Sequence, residues 1–115
     1  MIREGVMASY LVEASRYFGI SQTELSRLLG LSKATIARKV KSGGRFGPME
    51  SERLTRIALI RAEAERVFIS PDLARRWMLE PNLALGESPL SLLDTEVGGD
   101  EVRKVLAVIA YGGTA

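Results

Sequence analysis

The most chemically distinctive side chains of the sequence are the cations between residues 33 and 45. Lysine and arginine bind phosphate oxygens, and arginine, lysine and threonine also reach base edges in a DNA groove. The candidates for such contacts are Lys33, Thr35, Arg38, Lys39, Lys41 and Arg45. Ser32 is a typical helix N-cap, so the first four candidates follow the start of a helix and are expected on its exposed face. This arrangement predicts contacts with the DNA backbone and with one or two bases.

A second short helix precedes this one and would hold it at a steep angle. Ser21 and Glu24 form a capping box at the start of a helix over about residues 22–29. Gly30 supplies a sharp turn, and the next helix ends near Lys41. Two short helices around a glycine turn are typical of a helix-turn-helix, and this spacing resembles the Xre/Cro-like class. The alternative is a helical hairpin kept for packing or dimerisation, with its cations as ordinary solvated charges.

Helical periodicity continues on both sides of the helix-turn-helix. Apolar residues, beginning with Ile2, recur every four positions in residues 2–18, which predicts a first helix whose broad apolar face supports dimerisation. Downstream, residues 49–68 have the pattern of a long amphipathic helix that connects the two halves of the chain. The residues expected on its solvent side are Arg53, Arg56, Glu63 and Arg66.

The C-terminal part of the sequence is also helical but is interrupted by proline and glycine. A helix capped by Ser70 runs to Leu79, and a short helical turn follows at residues 90–93. Thr95 caps a last helix, which ends at residues 111–113. The apolar positions of this last helix are Val97, Val102, Val105, Leu106 and Ile109.

Every predicted element is helical, so we expect an all-α fold with three parts. These are a helix-turn-helix region over residues 1–48, a connecting helix over residues 49–69, and a small helical domain over residues 70–115. No stretch alternates apolar and polar residues for long enough to predict a sheet. A chain of 115 residues with 46% apolar residues can bury the core that this fold needs.

The composition of the chain argues against an enzyme. It contains no cysteine and no histidine, the residues that usually supply thiolate nucleophiles, imidazole bases and zinc ligands. No carboxylate pair or serine–lysine pair stands in a setting that suggests a catalytic site. We therefore expect no catalytic residue, metal or cofactor. The sequence also lacks a secretory pattern and an apolar stretch of roughly 20 residues, which predicts a cytoplasmic protein without a membrane span.

Charge is distributed unevenly along the chain, although the net charge is only +2. Residues 1–47 hold eight basic and three acidic residues, whereas residues 77–102 hold six acidic residues and no basic one. A basic half attracts phosphates, and an acidic segment suits a basic protein surface. The alternative is that the acidic residues only cap helices and solvate a surface.

The C-terminal half carries an unusual order of tryptophan, proline, glycine and leucine. Its fixed points are Trp77, Pro81-Asn82, Leu85-Gly86, Pro89-Leu90, Leu93-Asp94-Thr95, Gly98, Val102, Leu106, Ile109 and Tyr111-Gly112. In order and spacing these residues resemble the toxin-binding domain of the Xre/MbcA/ParS antitoxins of bacterial toxin–antitoxin modules. The resemblance extends over nearly the whole chain. It departs at Glu87, where the family usually has a second glycine.

This resemblance implies a cognate toxin as partner, commonly a RES-type toxin that consumes NAD and less often an ADP-ribosylating toxin. The antitoxin itself would bind no NAD. The resemblance also implies that the end of the last helix and the tail beyond it cover the active-site cleft of the toxin, while acidic residues steer docking. The toxin contacts expected on this sequence are Trp77, Pro81, Asn82, Leu85, Gly86, Leu90, Leu93, Asp94, Glu96, Asp100, Glu101, Tyr111, Gly112 and Gly113.

The leading hypothesis is therefore an antitoxin that blocks its toxin and represses its own promoter as a homodimer on operator DNA. A higher toxin–antitoxin assembly is compatible with it. The alternative is a helix-turn-helix transcriptional regulator without a toxin partner. Tyr111 also keeps two interpretations, a toxin contact or an aromatic staple that closes the last helix against Trp77 or Val108.

Overall fold

The computed structural model describes residues 5–112, which contain six α-helices. These are α1 (Ser9–Phe18), α2 (Gln22–Leu28), α3 (Lys33–Ser42), α4 (Pro48–Phe68), α5 (Pro71–Leu79) and α6 (Glu96–Ala110). A short 3₁₀ helix at Leu90–Leu92 precedes α6. The chain divides into two units between Thr55 and Arg56, within α4. The expectation of an all-α fold is confirmed.

The first unit is built from α1, α2, α3 and the beginning of α4. Ser21 and Ser32 cap α2 and α3 as predicted, because each hydroxyl accepts a hydrogen bond from the backbone N–H three residues later. The Glu24 carboxylate, predicted to complete a capping box with Ser21, instead accepts hydrogen bonds from Arg27. Gly30 between these helices has a φ of 67°, the left-handed conformation that the turn requires. The larger buried side chains of this unit are Leu11, Phe18, Leu25, Leu29, Ile36, Phe46 and Leu54.

The N-terminal helix is shorter than the periodicity predicts, because α1 begins at Ser9. Gly5 has a φ of 82°, and the segment after it pairs with the chain that follows α3. The N–H of Phe46 donates to the carbonyl oxygen of Val6 at 2.9 Å, and a Cβ at Gly5 would lie 2.5 Å from the carbonyl oxygen of Phe46. Backbone pairing thus replaces a helical turn, so a long apolar first helix no longer supports dimerisation. Ile2 lies outside the described residues.

A buried serine on α4 fastens this N-terminal segment. The Oγ of Ser51 accepts a hydrogen bond from the N–H of Val6 at 2.9 Å and donates one to the carbonyl oxygen of Phe46 at 3.1 Å. Ser51 is fully buried, so both backbone groups depend on this hydroxyl rather than on water.

The second unit contains the rest of α4, α5, the 3₁₀ helix and α6. Ser70 and Thr95 cap α5 and α6 as predicted, each accepting a hydrogen bond from the backbone N–H three residues later. Val97 does not belong to the buried face of α6, because 72% of it is exposed. The larger buried side chains of this unit are Ile57, Ile60, Met78, Leu90, Leu93, Val102 and Leu106.

The solvent-facing prediction is wrong for Arg56, which is only 7% exposed. Its Nη1 donates a hydrogen bond to the carbonyl oxygen of Leu93 at 2.9 Å. The aliphatic part of Arg56 crosses α6 at Gly99, where a Cβ would lie 2.8 Å from the Cδ of the arginine. At Gly98 a Cβ would lie 2.0 Å from the carbonyl oxygen of Leu92. Two adjacent glycines therefore let the start of α6 approach both neighbours.

Candidate functional site

The residues proposed to bind DNA form what we call the basic surface, which comprises Lys33, Thr35, Arg38, Lys39, Lys41 and Arg45. All six lie on α3 or directly after it. Lys33, Arg38, Lys41 and Arg45 are exposed, whereas Thr35 and Lys39 are half-buried. The opposite side of α3 is anchored by the buried Ile36. The structure thus presents four exposed cations from one short segment, as phosphate contacts require.

Two members of the basic surface also have structural contacts. Arg45 donates a hydrogen bond from Nη1 to the carbonyl oxygen of Gly5 at 2.8 Å, so it helps to hold the N-terminal segment. The side chain of Lys39 lies beside Gly44, where a Cβ would be 3.4 Å from the Cδ of the lysine. These contacts restrict the orientation of both side chains and distinguish them from Arg38.

The turn before α3 is held by Arg53, an arginine that the helical pattern predicts on the solvent side of α4. Nη1 of Arg53 on α4 lies 2.6 Å from the carbonyl oxygen of Leu29 and 3.3 Å from that of Gly30. Arg53 is half-buried and satisfies carbonyl groups that the end of α2 leaves free. Ser26 is buried in the same helix, and its hydroxyl donates to the carbonyl oxygen of Gln22. The hydroxyl of this buried serine is therefore satisfied within its own helix.

Most of the residues proposed to bind a toxin lie on what we call the C-terminal surface, which comprises the loop at 80–89 and the exposed side of residues 94–112. Asn82 organises the loop, since its Oδ1 accepts hydrogen bonds from the N–H groups of Ala84 at 2.8 Å and Leu85 at 3.2 Å. Gly86 closes the same turn in the left-handed conformation, with a φ of 82°. Leu83, at the tip, is fully exposed and was missed because its type alone suggests a core residue.

Not all of the proposed toxin contacts reach this surface. Leu90 and Leu93 are buried, so they support the surface from beneath. Trp77 is half-buried and packs against Phe68, with 5.6 Å between ring centroids. Pro81 is exposed and Leu85 is half-buried.

The proposed acidic contacts all lie on the exposed side of the second unit. They are Asp94, Glu96, Asp100 and Glu101. Asp100 is 3.5 Å from Nη1 of Arg103, whose Nε lies 3.9 Å from a carboxylate oxygen of Glu63. Exposed carboxylates on one short segment create a negative potential that can attract a basic partner.

The end of α6 leaves Tyr111 in solvent, with 90% of the residue exposed. The staple interpretation is wrong for the described arrangement, because Trp77 packs on Phe68 and Tyr111 is not covered. Beside Tyr111 lies an open cavity of about 400 Å³ between α4 and α6, lined in part by Arg66 and Ala107. Gly112 then turns the chain with a φ of 82°, and the proposed contact Gly113 lies outside the described residues.

Within residues 5–112, no group of three or more acidic or other ligating side chains is placed to hold a metal ion. No helix in this range combines the length and apolar character needed to cross a membrane. The pKa of Asp72 lies below its usual value because Arg75 donates a hydrogen bond to it, but this pair lies on α5, outside both surfaces.

Comparison with known proteins divides the chain at nearly the same place. Residues 1–59 match the antitoxin Xre-like helix-turn-helix domain, and residues 63–112 match the antitoxin Xre/MbcA/ParS C-terminal toxin-binding domain. The chain is 31% identical to Antitoxin Xre of Yersinia enterocolitica over 96% of this chain and 76% of that protein. It is 30% identical to Antitoxin Xre of Pseudomonas putida over 96% of this chain and 69% of that protein. A Sphingobium protein named Prs ADP-ribosylating antitoxin is 29% identical over 100% of this chain and 79% of its own length.

Proposed function

Because the chain belongs to the Xre/MbcA/ParS antitoxin family, we propose that it is the antitoxin of a type II toxin–antitoxin module and covers the active site of its toxin. The observation that carries this proposal is the exposure of Tyr111 at the end of α6, inside the part that matches a toxin-binding domain. An exposed aromatic side chain beside an open cavity is typical of an interface anchor.

Docking and blocking would depend on different parts of the C-terminal surface. The exposed carboxylates Asp94, Glu96, Asp100 and Glu101 steer a basic toxin surface toward α6, because complementary charge raises the association rate. The end of α6 and the tail after it then lie over the catalytic cleft. Carbonyl groups at a helix C-terminus carry partial negative charge, which suits a cleft built to bind the phosphates of a dinucleotide.

We assign the toxin to the RES type, which consumes NAD, with an ADP-ribosylating toxin as the second candidate. The resemblance of the C-terminal half supports the first assignment, and the name of the Sphingobium relative supports the second. Both toxin classes bind NAD, so the same occlusion at the end of α6 applies to either. The antitoxin needs no cofactor for this role and would act in the cytoplasm, where operator DNA is located.

The basic surface would serve a second role, repression of the module's own promoter. Four exposed cations on and after α3 and a turn held by Arg53 support insertion of α3 into a major groove. A homodimer would place two such helices on a symmetric operator. A regulator that binds DNA without a toxin partner remains the competing function, and it leaves the exposed Tyr111 and the acidic segment without a role.

Co-expression tests the proposed function. The chain is produced with the product of the adjacent reading frame, and co-purification, cell growth and cellular NAD are measured with and without it. We expect a complex, restored growth and restored NAD for a RES-type toxin. If the toxin stops growth without lowering cellular NAD, and the chain restores growth, the toxin belongs to the ADP-ribosylating class. If no complex forms and the neighbouring product is harmless, the competing function as a regulator replaces this proposal.

A further inference from the structure

The solvent side of α6 carries a regular stripe of side chains, which we call the α6 stripe: Val97, Glu101, Lys104 and Val108. Successive members are four, three and four residues apart, so they share one helix face at the spacing of a coiled-coil seam. All four are exposed, including 72% of Val97 and 46% of Val108. The stripe is thus apolar at both ends and carries one charge of each sign between them.

We propose that the α6 stripe is a self-complementary interface through which two copies of this chain pair, with their α6 helices antiparallel. The symmetry axis would pass between Val102 and Arg103. Val97 of each copy then lies level with Val108 of the other, about 8 Å from the axis at a rise of 1.5 Å per residue. Glu101 of each copy lies level with Lys104 of the other.

Charge complementarity selects both the occupant and the direction of pairing. In the antiparallel arrangement the two central layers each join a carboxylate to an ammonium group, and the two outer layers each join valine to valine. A parallel pair in register would set Glu101 against Glu101 and Lys104 against Lys104, and like charges in contact oppose association. An interface of this kind is isologous, because the same stripe serves on both copies.

The predicted pair is weak and has a consequence for the proposed function. A single pair of helices buries less surface area than the roughly 800 Å² per partner of a standard interface. The two chains should therefore pair only at high protein concentration or within a larger assembly. Glu101 also belongs to the proposed toxin contacts. If the proposed function holds, pairing through α6 and toxin binding exclude one another, whereas the pairing itself does not depend on a toxin.

A charge swap tests the pairing. Self-association of the full chain is measured by sedimentation at roughly 0.1–1 mM, a range suited to an interface below standard size. We expect Glu101→Lys and Lys104→Glu each to weaken association by about tenfold or more, because each creates like-charge layers. The double variant Glu101→Lys/Lys104→Glu should restore association, since the swap regenerates both opposite-charge layers. Equal association of all four proteins overturns the proposal.

The register can be tested separately because the chain contains no cysteine. An oxidised mixture of Val97→Cys and Val108→Cys proteins should yield disulfide-linked dimers between the two variants. Either variant alone should yield few, since its two thiols would lie about 16 Å apart along the helix axes. Equal cross-linking of the single variants contradicts the antiparallel register.

The charge variants also separate this proposal from the proposed function. If Glu101→Lys and Lys104→Glu each weaken toxin binding and neither affects self-association, the α6 stripe belongs to the toxin interface. The pairing proposal then fails, while the proposed function stands.

Discussion

Arg56 donates a hydrogen bond from Nη1 to the carbonyl oxygen of Leu93 at 2.9 Å, in a buried setting. This contact joins α4 to the end of the 3₁₀ helix, directly before the exposed carboxylates of Asp94 and Glu96. The guanidinium therefore holds the backbone at the residue before these carboxylates, although it is itself buried. A buried cation of this kind is destabilising when it lacks acceptors, so the carbonyl of Leu93 stabilises the arrangement.

The first prediction concerns this hydrogen bond. Arg56→Leu removes the donor and leaves the carbonyl of Leu93 without it, so the free energy of unfolding should fall by roughly 2 kcal/mol. Urea denaturation measures this change. Arg66→Leu is the matched control, because Arg66 is exposed on the same helix and its substitution should have an effect below about 0.5 kcal/mol. Equal effects of the two variants would contradict a special role for Arg56.

The second prediction concerns Gly98. Alanine normally stabilises a helix relative to glycine by about 1 kcal/mol, but a Cβ at this position would lie 2.0 Å from the carbonyl oxygen of Leu92. Gly98→Ala should therefore destabilise the protein by roughly 1–3 kcal/mol, as overpacking does. Thermal unfolding of this variant is compared with that of Val97→Ala, which changes an exposed neighbour. Stabilisation by Gly98→Ala would show that the 3₁₀ helix moves away easily.

A third prediction follows from Ser51. Ser51→Ala leaves the buried N–H of Val6 and carbonyl of Phe46 without their shared partner, which should cost about 1–3 kcal/mol of stability. Hydrogen exchange at the Val6 amide should accelerate as well. The exposed Ser9 provides the control, since Ser9→Ala removes no buried hydrogen bond. An unchanged exchange rate at Val6 would indicate another acceptor for its amide.

Local signals in the sequence predicted most of the helix starts. Ser21, Ser32, Ser70 and Thr95 were expected as N-caps, and all four accept the predicted backbone hydrogen bond. These signals work because a cap needs only the residues of its own first turn. The all-α fold followed from the same short-range information.

Contacts between distant residues could not be predicted in this way. Helical periodicity predicted one helix over residues 2–18. It carries no information about the pairing of Val6 with Phe46, which lies forty residues away. Arg53 and Arg56 were predicted to face solvent because they fall on the polar side of an amphipathic helical pattern, yet each donates to a backbone carbonyl of another segment. For the C-terminal surface, the toxin contacts were predicted from a resemblance to a known family. The burial of Leu90 and Leu93 could be seen only in the structure.

The fourth prediction concerns DNA. Arg38→Ala combined with Lys39→Ala should abolish operator binding and leave toxin binding unchanged, because both residues lie on α3, outside the C-terminal surface. Fluorescence anisotropy at several salt concentrations measures the effect. For Arg38→Ala alone, the salt dependence should fall by about one phosphate contact. Arg75→Ala on α5 is the control for general loss of positive charge, and equal loss of affinity in that variant would contradict an interface on α3.

The most direct test of occlusion by the end of α6 compares the full chain with a variant that lacks residues 111–115. Both are added to the purified toxin, and its NAD-dependent activity is measured. The acidic segment and the loop at 80–89 remain in this variant, so the toxin complex should still form, with an affinity reduced by roughly tenfold at most, as expected for the loss of one anchor. Inhibition should be largely lost, because Tyr111 and the tail no longer cover the cleft. Full inhibition by the truncated variant would contradict occlusion by the end of α6.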